Sequence, residues 1–317
     1  MNLLLFFVCA AVVVFFAIKL SNNADWFEKN TKISGAIVGF ILAATTSLPE
    51  LISGITSVLI KQEELAISSI LGSNLFNYNI VVVANLAFIS YMAFNKLGKN
   101  INKIMYFIIS IYIVIITSFT LLQFASLGFD FRLSLTTVLI LIIYVLSIKS
   151  LDDSDDVVED TFATKTAVKK KFFSSFCFAV VLIVSSSLLA KVVELVMYDL
   201  NLSASLAGSI LLGASTSLPE FVSAIVLMRM RQYNVAISSV LSSNLFNFFV
   251  LFILDILTAK SIMLYFNMDT MILVAFGMVN TIILTVTFKF YKHTNKYIYM
   301  IPSILILGIY FIYLNII

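Results

Sequence analysis

Apolar residues in this chain gather into long runs, each ended by a short polar stretch. A helix that crosses a hydrocarbon core about 30 Å thick needs about 20 mostly apolar residues. Ten runs meet that length: 2–20, 33–60, 64–91, 103–123, 131–149, 172–197, 205–229, 233–258, 269–290 and 297–316. The second and third are longer than a straight crossing requires, which predicts tilt or a break. The first run starts directly at Asn2, with no basic n-region and no small-residue cleavage site. It reads as a retained helix and not a signal peptide. The predicted fold class is therefore all-α and polytopic, with ten transmembrane helices.

Composition agrees. Of 317 residues, 61% are hydrophobic and 12% are charged, against about 25% charged in a soluble domain. A surface this apolar makes the lipid bilayer the solvent. The net charge of +3 is small, and no basic block is interleaved with aromatics, which argues against nucleic acid as a partner. Cys9 and Cys177 lie in apolar runs and read as packing residues rather than a disulfide or metal pair. A single histidine, His293, makes a zinc enzyme a poor reading. Nothing in the sequence marks an oligomeric state.

The basic residues orient the bundle. With the N-terminus outside, sixteen of the twenty Lys and Arg residues fall on cytoplasmic loops, and only Lys61, Arg132, Lys191 and Lys260 fall outside. That bias predicts both termini on the outer side. The polar stretch 150–171 is the one long soluble segment and reads as a cytoplasmic linker. Its acids lack the Gly and the terminal Glu that a twelve-residue calcium loop requires. It divides the chain into 1–149 and 172–317, five spans each.

The halves repeat. Residues 42–50 read LAATTSLPE and 212–220 read LGASTSLPE; 66–77 read AISSILGSNLFN and 236–247 read AISSVLSSNLFN. Both blocks share one offset, 170 residues, as an internal repeat requires. Five spans is an odd number, so the second copy enters the membrane inverted. Two inverted five-helix repeats with a site between them form a secondary-transporter architecture.

Within this frame Glu50 and Glu220 stand out, because each acid lies well inside a span. An ionisable group there costs roughly 3 kcal/mol on insertion scales, so it faces a cavity or a partner. The repeat should bring the two together near the midplane, where they repel unless a cation sits between them. Thr46 and Ser47 precede Glu50 at helical spacing, and Thr216 and Ser217 precede Glu220, so each trio can share a face. Pro49 cannot donate to the carbonyl of Thr45, nor Pro219 to that of Ser215. Each should break its helix beside a carboxylate. Ser73 with Asn77, and Ser243 with Asn247, add neutral oxygens from the third and eighth spans. The inventory holds carboxylate, hydroxyl, amide and carbonyl oxygen and no nitrogen or sulfur ligand, which suits calcium or sodium.

Two copies of S-L-P-E, each followed by S-N-L-F-N, resemble the α-repeats of the cation/calcium exchanger superfamily, in its prokaryotic sodium/calcium exchanger form. The resemblance covers all ten spans. It implies alternating access in a cell inner membrane, with the first and sixth spans sliding across the rest. By position it implies Glu50 and Glu220 as central calcium ligands and Thr46 and Thr216 as carbonyl donors. Ser47, Ser217, Ser73 and Ser243 match residues around the sodium sites. Asn77 and Asn247 match the paired positions on spans 3 and 8, and Ala43 and Gly213 match small backbone contributors. Thr45 and Ser215 depart from the family's usual Gly, Ser242 stands where its partner is Gly72, and both paired positions are Asn where exchangers often carry one Asp. Asp255, two turns past Asn247, reads as the end of its span.

The function these residues imply is sodium-driven calcium antiport, with no resident cofactor and inorganic cations as partners. Calcium/proton or other cation antiport is the alternative, since two carboxylates could carry protons. A cation channel fits the inverted repeats less well. An intramembrane hydrolase lacks an activated nucleophile with a histidine base.

Overall fold

The computed structural model describes residues 2–125, 134–151, 163–199 and 213–316. Among the described residues the long elements are all helices: α1 (Asn2–Asn30), α2 (Gly35–Thr46), α3 (Leu48–Leu59), α4 (Glu63–Ala87), α5 (Lys99–Ala125), α6 (Leu135–Ser150), α7 (Lys165–Asp199), α8 (Gly213–Thr216), α9 (Leu218–Arg229), α10 (Tyr233–Leu257), α11 (Met268–Phe290) and α12 (Lys296–Ile316). Among the described residues eight stretches are long and apolar enough to cross a membrane, α2 and α3 together forming one of them. Helix α6 is apolar but shorter, at 16 residues. Helices α8 and α9 occupy the predicted seventh span, whose residues 205–212 lie outside the described residues.

Two boundaries differ from the sequence reading for a physical reason. Helix α1 continues to Asn30, not residue 20. Beyond its apolar run it buries polar groups against α7: the Asn23 Nδ2 donates to Ser174 and Ser175, and Lys171 Nζ donates to Asn23 Oδ1. Helix α7 in turn starts at Lys165, so the last part of the predicted linker 150–171 is helical. Residues 152–162, which hold the linker's acids, lie outside the described residues.

Helices α4 and α10 form the centre: 72% of each apolar window is buried, against 28% for α1 and α12. They pack on one another. Helices α1 and α7 pair at one side and reach crosswise, α1 onto α9 and α7 onto α3. Helices α5 and α11 pair, and α6 and α12 flank α10 and α4 respectively. Local structure repeats as the sequence does. Helices α3 and α9 each have 12 residues, and α4 and α10 each have 25. Between them Lys61 and Arg231, one repeat apart, take left-handed φ values of 62° and 65°. There the Gln62 and Gln232 amides close the helix ends on Ser57 and Leu227 carbonyls at 2.9 Å.

Helix α2 seats on α10 through Gly39. A Cβ there would lie 2.0 Å from Ser238 Oγ and 2.9 Å from the Val235 carbonyl oxygen. The serine could rotate; the backbone could not, so the helices would have to part. Gly39→Ala is expected to cost about 1–3 kcal/mol, read as a lower melting temperature in detergent. Gly72→Ala is the control: its Cβ meets nothing within 4 Å, and Ala gains about 1 kcal/mol over Gly in a helix. Equal melting temperatures for the two variants would refute the close approach.

Asp255 does more than end a span. It is fully buried, and its carboxylate accepts from the Ser134 amide (2.7 Å), the Thr137 hydroxyl and the Ile262 amide (2.6 Å). It ties α10 to α6 and to the turn before α11. One repeat earlier Asn85 ties α4 to α12, accepting from the Tyr299 hydroxyl and donating to Ser303.

Candidate cation site

Ser47 (φ −94°, ψ 7°) separates α2 from α3, and Ser217 (φ −89°, ψ 11°) separates α8 from α9. Each break falls two residues before a proline, which becomes the second residue of the following helix, where its missing N–H is least costly. The expectation that the prolines break their helices holds. Thr46, Ser47 and Glu50 consequently do not share one helix face. Thr46 ends α2, Ser47 is the joint, and Glu50 lies in the first turn of α3; Thr216, Ser217 and Glu220 are arranged alike around α8 and α9.

The break serves the carboxylates. The N-terminus of a helix carries a partial positive charge, so an acid in the first turn is favoured. Glu50 and Glu220 gain this from α3 and α9, deep in the bundle. They are 4% and 2% exposed and lie near enough to interact electrostatically. Glu220 Oε1 accepts from Ser47 Oγ at 2.9 Å, a bond reaching across 173 residues; Thr46 and Ser243 also lie within its reach. Glu50 Oε2 and Glu220 Oε2 are buried without a protein partner.

The other predicted residues surround this pair unequally. Ser73 is buried with its hydroxyl unpartnered, as is Ser217, whereas Ser243 donates to the Ser239 carbonyl at 3.2 Å. The Thr46 hydroxyl donates back into its own helix, to the Leu42 and Ala43 carbonyls at 3.2 Å. Thr216 is buried at the end of α8. The Ala43 carbonyl takes the Ser47 amide at 3.0 Å as well, so it accepts two hydrogen bonds within the protein. Gly213 begins α8. Asn77 and Asn247 are buried, and their Oδ1 atoms have no protein partner.

Sequence reading missed Asn74 and Asn244, the first asparagine of each S-N-L-F-N. Both are fully buried between α4 and α10. Asn77 Nδ2 donates to Asn244 Oδ1 and Asn247 Nδ2 donates to Asn74 Oδ1, each at 2.9 Å. The signal was available: these asparagines recur at the 170-residue offset like their neighbours.

Unpartnered buried oxygens are costly in an apolar interior. Here Glu50, Glu220, Asn77, Asn247, Ser73 and Ser217 each carry one. Among the described residues no group of three or more His, Cys, Asp or Glu side chains lies together. A cation here would meet two carboxylates and otherwise neutral oxygen, a donor set for hard ions.

Among the described residues, helices long and apolar enough to cross a membrane surround a buried pair of carboxylates, the architecture of a multi-pass membrane protein. The chain matches the family model of the sodium/calcium exchanger protein over residues 1–149 and 170–317, and it belongs to that family. It is a multi-pass membrane protein and a cation/calcium exchanger, not an enzyme. Solved structures of the sodium-calcium exchanger NCX_Mj share the fold. One, soaked with 2.5 mM Na+ and 0.1 mM Sr2+, is 17% identical with a TM-score of 0.70, covering 98% of both chains. Another, soaked with 2.5 mM Na+ and 1 mM Sr2+, is 15% identical with a TM-score of 0.72, covering 98% of this chain and 96% of that one. No curated protein matches by sequence.

Proposed function

We propose that this chain exchanges calcium for sodium, driven by the sodium gradient, by alternating access at a midplane site between two inverted five-helix repeats, 1–149 and 172–317. The observation that carries this reading is the doubled carboxylate. Glu50 and Glu220 sit at equivalent helix breaks, buried together among unpartnered oxygens. Two negative charges are neutralised equally by one calcium or by two sodium ions. Either load can therefore satisfy the pocket, and neither can share it with the other, which is the condition for exchange. The NCX_Mj structures were obtained in sodium and strontium, ions of this class.

The site residues proposed are Glu50 and Glu220 as central ligands, with oxygens from Thr46, Thr216, Ser47, Ser217, Ser73, Ser243, Asn77, Asn247, Ala43 and Gly213. The inverted arrangement is supported by the crosswise packing of α1 on α9 and of α7 on α3. That paired placement also suits α1 and α7 to move together against the α4–α10 centre. Calcium uptake into proteoliposomes, with sodium and pH gradients imposed separately, tests the coupling. Uptake driven by outward sodium is expected; uptake driven only by a pH gradient would replace sodium with the proton.

Inversion places the cytoplasmic linker and both termini on opposite sides of an inner membrane. Cysteines introduced at Ser154 and after Asn315 are expected to label from opposite sides. The background must lack Cys177, which is exposed, and Cys9. Labelling from one side would end the five-plus-five inversion.

The prolines give a further expectation. Pro49→Ala restores a backbone N–H and improves helix propensity, so it should stabilise an ordinary helix. Here it would let α2 and α3 fuse across Ser47 and draw Glu50 out of a helix N-terminus. Calcium transport is expected to fall about tenfold, the loss of a helix-end interaction of about 1 kcal/mol together with a carbonyl taken from the site. Unchanged flux would make Pro49 a packing kink.

A further inference from the structure

We propose that Asn74 and Asn244 are positioning residues that set which way the Asn77 and Asn247 amides face, turning both Oδ1 atoms toward the cation. The inference rests on the cation site described above and concerns groups that do not themselves touch the ion.

An amide side chain can sit either way round, and only its partners decide. Asn74 Nδ2 lies 3.5 Å from the Asn244 backbone carbonyl, and Asn244 Nδ2 lies 3.3 Å from the Asn74 backbone carbonyl. A carbonyl oxygen only accepts, so each of these two amides must turn its NH2 inward to the other's backbone. Their Oδ1 atoms then face outward along the helix contact, and each is an acceptor for the next amide. Asn247 meets Asn74 Oδ1 and Asn77 meets Asn244 Oδ1, both at 2.9 Å. Facing an acceptor, each must present its NH2. The oxygens of Asn77 and Asn247 are what remains, buried and without a protein partner. Two backbone carbonyls thus determine four amide orientations, through a pattern that the repeat reproduces on both sides.

The reverse orientation would point two NH2 groups at a cation. The arrangement therefore exchanges repulsion for attraction at both amides without adding a charge. It also accounts for asparagine at both positions. A carboxylate at 247 would put one of its oxygens against Asn74 Oδ1, with no hydrogen between them. Asn244 has one further support, the Tyr78 hydroxyl, which lies within its reach and bonds Thr281 Oγ1 at 2.6 Å. The equivalent residue beside Asn74 is Phe248, which has no hydroxyl.

Calcium affinity of the purified protein, measured by titration calorimetry in detergent, tests the inference without relying on transport. Asn74→Leu frees the Asn247 amide, and affinity is expected to fall about tenfold, the worth of one oxygen turned away from a cation. Asn247→Leu is expected to fall by a similar factor. The double variant should fall no further than Asn247→Leu alone, because Asn74 acts only through Asn247. If Asn74→Leu does not fold by thermal melt, Asn74→Ser, smaller and without an acceptor in reach, takes its place in the cycle. A folded Asn74 variant with wild-type affinity, or losses that multiply in the double variant, would overturn the inference. Glu50→Gln separates this from failure of the site itself. If Glu50→Gln binds calcium like wild type, the carboxylate site is wrong; if it abolishes binding while the Asn74 variants do not weaken it, only the positioning role is wrong.

Discussion

Glu50→Gln and Glu220→Gln are each expected to abolish calcium transport and leave a folded protein. Glutamine keeps the length and the Oε1 acceptor, so Ser47 can still donate to position 220. What it removes is one unit of charge from a pocket that water hardly reaches. Each unit of the ion's charge at about 4 Å in surroundings of effective dielectric about 20 is worth about 4 kcal/mol against that carboxylate, about a thousandfold in affinity, and calcium carries two. Stability without cations should move the other way. The two buried carboxylates of the wild type repel, and an uncharged partner relieves this. The signature is therefore double: a melting temperature in chelator at or above that of wild type, and no further rise when calcium is added, where wild type gains stability by binding. A Gln variant that still carries calcium would sink the two-carboxylate site. A variant that melts lower in chelator would mean that Glu50 and Glu220 hold the fold rather than the ion.

The part of this site visible in the sequence was the part written as a doubled motif. Apolar length marked the spans, eight of which are long helices among the described residues, and the 170-residue offset marked Glu50 and Glu220, and Asn77 and Asn247, as equivalent positions. Proline chemistry gave the breaks. The sequence could not show where the breaks turn the chain. Spacing by three and four residues put Ser47 beside Glu50, but helical spacing ends at Ser47, whose hydroxyl bonds Glu220 of the other half instead. Helix ends were hidden for a related reason. Asn23 and Lys171 look like loop residues because hydropathy counts one side chain at a time, whereas here each is accommodated by the other across α1 and α7. Asn74 escaped attention because an asparagine in a span resembles generic interhelical glue. Only the backbone carbonyl opposite it reveals a fixed direction.

Asp255 illustrates the same limit with a larger consequence, and Asp255→Asn is expected to destabilise the protein by about 3–5 kcal/mol, the cost of breaking a buried charge-assisted network. The change is nearly isosteric, and the repeat itself carries Asn85 at the equivalent place. The partners differ. Asn85 meets two hydroxyls, and a hydroxyl can donate or accept as needed. Asp255 meets the amides of Ser134 and Ile262, one on each carboxylate oxygen, and a backbone N–H can only donate. An asparagine offers one oxygen, so whichever way it turns, its NH2 confronts a buried N–H and leaves it unsatisfied, at about 1–3 kcal/mol for the orphaned group alone. The rest of the loss comes from the missing charge on the remaining bond, which is worth about twice a neutral one. Helix α6 would lose its anchor at Ser134 and Thr137, and the turn before α11 its anchor at Ile262. The measurement is thermal unfolding in detergent for Asp255→Asn beside Asn85→Asp. The first is expected to melt far below wild type. The second should lose less, because the Tyr299 and Ser303 hydroxyls can both donate to a carboxylate. Equal losses would mean that the partners' donor character does not decide which half carries the acid.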